Sequence, residues 1–112
     1  MRTSGEQVTL DTVLTNPKKI VILQNKFTAS SAETLVYYAQ QSKKAVIAGE
    51  ASGGYTGYGD VSNVTTPNYE FTLYCSMMRY KEQLKNEVIG IQPQVQFDYT
   101  RDWIEQAIEL FK

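Results

Sequence analysis

The stretch IVILQNKFTASSAETLVYYAQQSKKAVIAGEASGG, residues 20–54, decides the fold. Its first four residues, Ile20 to Leu23, form a continuous β-prone run, which suits a strand buried on both faces of a parallel sheet. Gln24 to Ala29 reads as a short loop. From Ser30 to about Lys43 the spacing becomes helical, with Ala32, Leu35, Val36 and Ala39 at i, i+3, i+4 and i+7 on one apolar stripe. Lys43 and Lys44 fall at its C-terminal end, where positive charge complements the helix dipole. Ala45 to Ala48 is a second short buried strand. Strand, helix and strand in about 30 residues predict a βαβ unit, right-handed by default, with its strands parallel.

Upstream, residues 1–19 are mixed in character, and Asn16-Pro17 marks a turn. Downstream, glycines 49, 53, 54, 57 and 59 describe a long flexible loop that also carries Tyr55 and Tyr58. Phe71 to Met77 alternates, with Phe71, Leu73, Cys75 and Met77 on one face, and predicts a half-buried strand with Cys75 in the core. Lys81 to Asn86 is a polar turn. Ile89 to Phe97 is extended, broken by Gly90 and Pro93. Thr100 caps a last helix to Lys112 whose Trp103, Ile104, Ala107, Ile108 and Phe111 face the core. The whole is an α/β domain, expected over residues 1–112 as a single partial domain rather than a self-sufficient one.

The chain has 112 residues, room for one compact domain and not for two. Eleven Lys and Arg against 12 Asp and Glu leave a net charge of −1, so there is no basic footprint for nucleic acid or anionic lipid. A lone Cys75 excludes an internal disulfide and a paired-cysteine metal site. With no histidine, the commonest metal ligand and the commonest general base near neutral pH are both missing. The spacing and terminal Gly-Lys-[Ser/Thr] of a P-loop are absent from residues 53–59, and no cofactor or metal is expected. The run Ile20 to Leu23 is far too short to span a membrane, and MRTSGEQVTL lacks the apolar stretch of a signal peptide. If the protein is exported, its signal lies outside these residues; the compartment stays open.

Chemistry concentrates in Thr28-Ala29-Ser30-Ser31-Ala32-Glu33, between a buried strand and a helix. A serine at that corner can project its hydroxyl, while the free amides of the helix start stabilise an oxyanion. Ser30-x-x-Glu33 is equally a capping box, in which each side chain satisfies the other's backbone donor. Lys26 reads as a solvated loop residue.

This region resembles the nucleophile region of the tail-specific, or carboxyl-terminal processing, serine peptidases. The T-A-S-x-x-E-like turn at 28–33 is followed by Gly49-Glu50-Ala51-Ser52-Gly53-Gly54, then by Glu87-Val88-Ile89-Gly90-Ile91-Gln92-Pro93-Gln94, similar to an E-G-x-G-[IV]-x-P-D segment. The resemblance covers residues 18–98 and implies the C-terminal part of a ClpP/crotonase-like α/β peptidase core. It implies Ser30 as nucleophile and the Ser31 N–H as one oxyanion donor, with Gly54 and Tyr55 beside the substrate. One branch of the family places a lysine base just after the residue matching Gly54, where this chain has Tyr55. The other, tricorn-like branch uses an upstream histidine supported by a glutamate, and Glu87 stands at that glutamate's place. The base and the rest of the domain are then expected outside this chain, and the chain alone is expected to be inactive and to self-associate. Peptides or unfolded proteins are the implied substrates, and many bacterial members act outside the cytoplasm. Val88 for the usual glycine and Gln94 for the usual aspartate depart from the pattern. They keep open a non-catalytic module of the same fold, like the retinoid-binding modules, that holds an apolar ligand or an extended peptide.

Overall fold

The computed structural model describes residues 2–3, 14–68 and 70–112. Its elements are β1 (Arg2–Thr3), β2 (Ile20–Gln24), α1 (Ser31–Ala39), β3 (Ala45–Gly49), β4 (Tyr58–Thr65), β5 (Thr72–Arg79), a 3-10 turn (Lys81–Asn86), β6 (Val95–Gln96) and α2 (Trp103–Glu109). Two three-stranded sheets result, ordered β2-β3-β6 and β1-β5-β4. The first is wholly parallel. Ile20 to Gln24 pair in register with Ala45 to Gly49, and β6 adds to the far side of β3. The βαβ unit expected from residues 20–48 is therefore present.

Period-two alternation divides the apolar residues of β2 and β3 between two helices. Ile22 and Ile47 pack with Val36, Tyr37, Ala39 and Ile91 on the α1 side. Val21, Leu23 and Ala48 pack with Phe97, Trp103, Ala107 and Leu110 on the α2 side. Phe97 and Trp103 meet edge to face at 5.9 Å, a favourable arrangement of ring quadrupoles. Ile47 and Ala48 are fully buried. β2 is an edge strand, however, and only half-buried at Val21, Ile22 and Leu23, short of the full burial its composition suggested.

Several expectations change. α1 ends at Ala39, so Lys43 and Lys44 lie in the turn beyond it and do not sit on its last carbonyls. Its buried face runs through Glu33 and Val36, while Ala32 and Leu35 point outward. The polar contacts of Glu33, described below, set the helix rotation against its apolar stripe. The strand expected at 71–77 exists as β5, paired antiparallel to β4 from Tyr58↔Arg79 to Thr65↔Thr72. It is not half-buried: Phe71, Leu73, Met77 and Cys75 are all exposed. Alternation specifies a pleat, but only a facing layer makes one side of it a core. The brief β1 pairing with Met78 and Arg79 had no sequence signal.

Between residues 89 and 97 only Val95–Gln96 is strand. α2 is capped by Asp102, whose carboxylate accepts the N–H groups of Ile104 and Glu105. Thr100 is unavailable for that role, because its hydroxyl and its N–H both donate to Asp98 Oδ1, at 2.7 and 2.8 Å. The face of α2 turned to the sheet carries Trp103, half-buried, and Ala107, buried, whereas Ile104, Ile108 and Phe111 are exposed.

Candidate active site

The chain leaves β2 at Gln24 and turns sharply before α1. The turn is closed by Thr28 N–H donating to Asn25 O at 2.8 Å, and by Asn25 N–H donating to Thr28 Oγ1 at 3.0 Å. Phe27 N–H donates to Asn25 Oδ1 at 2.9 Å. Ser30 follows with φ 55° and ψ −119°. An L-residue held there costs on the order of 1–3 kcal/mol and persists only where its surroundings impose it. This is a strained strand-to-helix corner, the kind of backbone that lifts a serine hydroxyl out of the chain's path. Ser30 is exposed, and its side chain makes no cap hydrogen bond. Ser30 and Glu33 nonetheless stand as a capping box, the Ser30 side chain facing Glu33 N–H while Ser30 N–H donates to Glu33 Oε2 at 3.0 Å. Next in line, Ser31 is exposed and its N–H donates to no group among the described residues, as first-turn amides of a helix do not.

Glu33 holds the corner in place. Its side chain is fully buried, with no salt bridge among the described residues. Oε2 accepts from Ser30 N–H and from Tyr55 N–H, the latter at 2.8 Å. Oε1 accepts from the Ser52 hydroxyl and from Gly54 N–H at 2.7 Å. Four donors satisfy the two oxygens, which is how a carboxylate tolerates burial without a cation. Sequence reading assigned Glu33 only the Ser30 bond; the loop partners are 19 to 22 residues away and carry no local signal.

The glycine loop is tied down, not flexible. Ser52, Gly54, Thr56 and Gly57 are buried. Gly53 N–H donates to Thr28 O at 2.8 Å, Val88 N–H donates to Gly54 O at 2.8 Å, and the Thr56 hydroxyl donates to Gln83 O. Gly54 has φ +80°, and a Cβ there would meet the Val88 carbonyl carbon at 2.7 Å. Glycine is used here for close backbone approach, not for mobility. Ser52 continues inward, its Oγ accepting Ile91 N–H at 2.7 Å. Buried Gln24 donates through Nε2 to Glu50 O and Ile91 O, at 2.8 and 2.6 Å.

Ser30, Ser31, Gly54 and Tyr55 are thus brought together around one carboxylate. Gly54 supplies backbone with both polar groups already bonded, while the Tyr55 ring is exposed and lies against Gly53. Glu87 stands on the other side of the loop, half-buried, its Oε2 accepting Gly57 N–H at 2.6 Å. Lys26 is exposed, its ammonium 5.3 Å from the centre of the Phe27 ring. Both departures from the family pattern have a place. Val88 keeps a glycine-like φ of 71°. Gln94 pairs with Ile47 through its own N–H and through Oε1, each at 2.8 Å, so its side chain extends the β3–β6 ladder.

Behind the turn, Glu50 Oε1 accepts Lys26 N–H at 3.1 Å and Oε2 accepts the Tyr99 hydroxyl. The Tyr99 hydroxyl first, and the Lys26 amide second, hold the Glu50 carboxyl below its ordinary range; the same bond pushes the Tyr99 phenol up. Among the described residues no three His, Cys, Asp or Glu side chains gather as a metal site, and no helix is long and apolar enough to cross a membrane.

This geometry coincides with a family match. The chain matches the model of peptidase family S41 over residues 2–97, and it belongs to that family. Among solved structures it is similar to a photosystem II D1 C-terminal processing protease, with 29% identity and a TM-score of 0.56 over 71% of this chain and 20% of that one. It also shares its fold with a protein of Parabacteroides merdae ATCC 43184 assigned as a peptidase, at 20% identity and TM-score 0.56. That match covers 82% of this chain and 31% of the other. The chain therefore spans about a third or less of the solved structures it resembles, and its α/β fold is that of part of a C-terminal processing peptidase domain. No curated protein sequence matches it.

Proposed function

We propose that these residues carry the nucleophile half of a serine peptidase site, acting on peptides or unfolded proteins through an acyl-enzyme on Ser30. The observation that carries the reading is the strained, exposed Ser30 corner beside an uncommitted Ser31 N–H. In this mechanism the Ser30 hydroxyl gives its proton to a base as Oγ attacks the scissile carbonyl. The Ser31 amide holds the resulting oxyanion, the amine leaves with the proton, and water then hydrolyses the ester. A serine hydroxyl is a weak nucleophile without such a base. The 112 residues contain no histidine, and Tyr55 occupies the place of the lysine base. We therefore assign the base to a histidine in the remainder of the peptidase domain, as in the tricorn-like branch. Glu87 would orient it from the far side of the glycine loop, and the second oxyanion donor would come from the same missing part. Val88 keeps a glycine-like backbone and Gln94 serves β3, so neither departure alters the Ser30 corner on which the peptidase reading rests.

The test is to express residues 1–112 together with the rest of the peptidase domain and treat the product with a fluorophosphonate. Labelling at Ser30, lost in Ser30→Ala, is the expected result. A folded domain that leaves Ser30 unlabelled and binds an apolar ligand would overturn the peptidase reading in favour of the binding module.

A further inference from the structure

The strain at Ser30 needs a cause, and the local turn does not supply one. Residues 25–28 are closed by their own Asn and Thr side chains and would be satisfied whatever φ followed. The Ser30 carbonyl accepts Thr34 N–H, an ordinary first-turn helix bond, so the long-range tie on Ser30 is Glu33, and the same oxygen that accepts Ser30 N–H also accepts Tyr55 N–H. Nucleophile and loop are thereby pinned to one atom. The second oxygen reaches deeper, through the Ser52 hydroxyl to Ile91 N–H, which ties the 87–91 segment into the same network.

We infer that Glu33 is a positioning residue of the site, fixing the nucleophile turn and the glycine loop in one geometry, and that catalysis depends on that registration. The inference rests on the serine peptidase reading for its catalytic part only. The chemistry is acceptor-only. Three of the four partners are backbone amides, which can only donate, and the fourth, Ser52, already accepts from Ile91. A glutamine would present an NH2 group to donors on one side. Glu33→Gln therefore unpicks half the set while keeping the volume. A misplacement of about 1 Å at a reacting centre is enough to cost on the order of a hundredfold in rate.

Two measurements test this. On the 112-residue chain, amide hydrogen exchange in Glu33→Gln should become at least about tenfold faster at Gly54 or Tyr55, with β3 amides unchanged. On the completed domain, saturation kinetics of fluorophosphonate labelling should show the maximal rate at Ser30 falling about a hundredfold, with the inhibitor's half-saturation within about threefold of wild type. If Glu33→Gln does not fold, Ser52→Ala removes one donor and leaves the three amides, with an expected loss of about three- to tenfold in the same maximal rate. Unaltered exchange at both amides overturns the inference. So does a maximal rate within about threefold of wild type in folded Glu33→Gln, or in Ser52→Ala where that variant stands in, since a purely structural role would leave it there. Should wild-type Ser30 fail to label at all, the peptidase reading falls, and the exchange result alone decides whether Glu33 couples turn to loop.

Discussion

Replacing Val88 by glycine is expected to stabilise the chain. Val88 has φ 71° and is 84% exposed, so it occupies left-handed backbone with a β-branched side chain that packs against little. Left-handed backbone costs an L-residue roughly 1–2 kcal/mol, and a β-branched residue lies at the upper end. Glycine relieves that and gives back about 0.5–1 kcal/mol through the greater freedom of its unfolded chain. Because the side chain is so exposed, little burial is lost. The net gain is about 1–1.5 kcal/mol, a rise of about 4–7 °C in Tm for a chain of this size. The hydrogen bond from Val88 N–H to Gly54 O is a backbone bond and survives the change. Thermal and urea unfolding of wild type, Val88→Gly and Val88→Ala provide the assay. Alanine keeps the Cβ and should recover less than half the gain. A Val88→Gly midpoint at or below wild type would refute the reasoning, because the cost assigned to the left-handed backbone would then not exist.

Three further outcomes follow from other contacts. Gly54→Ala forces a Cβ against the Val88 backbone at 2.7 Å in a left-handed residue, and should cost about 2–3 kcal/mol in unfolding experiments; a loss under 1 kcal/mol would mean the loop can retreat. In Tyr99→Phe, Glu50 should titrate closer to its ordinary value near 4.5, as read by NMR of its carboxyl carbon. With its folded value depressed, Glu50 contributes stability above its unfolded value that is lost as pH falls through the folded one; Tyr99, raised from about 10, contributes below that value and loses it at higher pH. Both limbs should flatten together in the variant, and an unmoved Glu50 titration would count against the pairing. Finally, Val64 and Leu73 lie opposite one another in the exposed β4–β5 hairpin, 68% exposed each, and the chain should self-associate. Sedimentation should show that Val64→Thr with Leu73→Thr weakens the association; a wild-type monomer at high concentration would sink the idea.

The parallel pair was legible in the sequence because Ile20 to Leu23 and Ala45 to Ala48 are short, mostly β-branched apolar runs separated by a helical stretch, the pattern of a βαβ unit. The Ser30 corner was legible as a location between strand and helix, but its φ was not, since a serine there reads first as a cap. What escaped was everything fixed at long range. Glu33 looks like half of a local box, yet three of its four bonds go to residues 52–55, and that choice turns Leu35 outward. Thr100 is a good capping residue on paper; Asp98 reaches it first, which leaves the cap to Asp102. β5 alternates as a buried strand should, and its apolar side chains are nonetheless exposed, because period records the pleat and says nothing about what lies across from it.

The tight seating of the glycine loop has a practical consequence for anyone wishing to retune this protein. At 49, 54 and 90 a methyl group would meet backbone atoms at 2.2, 2.7 and 2.1 Å, so substitutions directed there should be strongly destabilising. Variation belongs on the outward side chains of Phe27, in the turn before α1, and Tyr55, in the glycine loop, which are 79% and 63% exposed. The surface open to redesign is therefore a pair of aromatic rings, one on each of two backbone segments that must themselves be left alone.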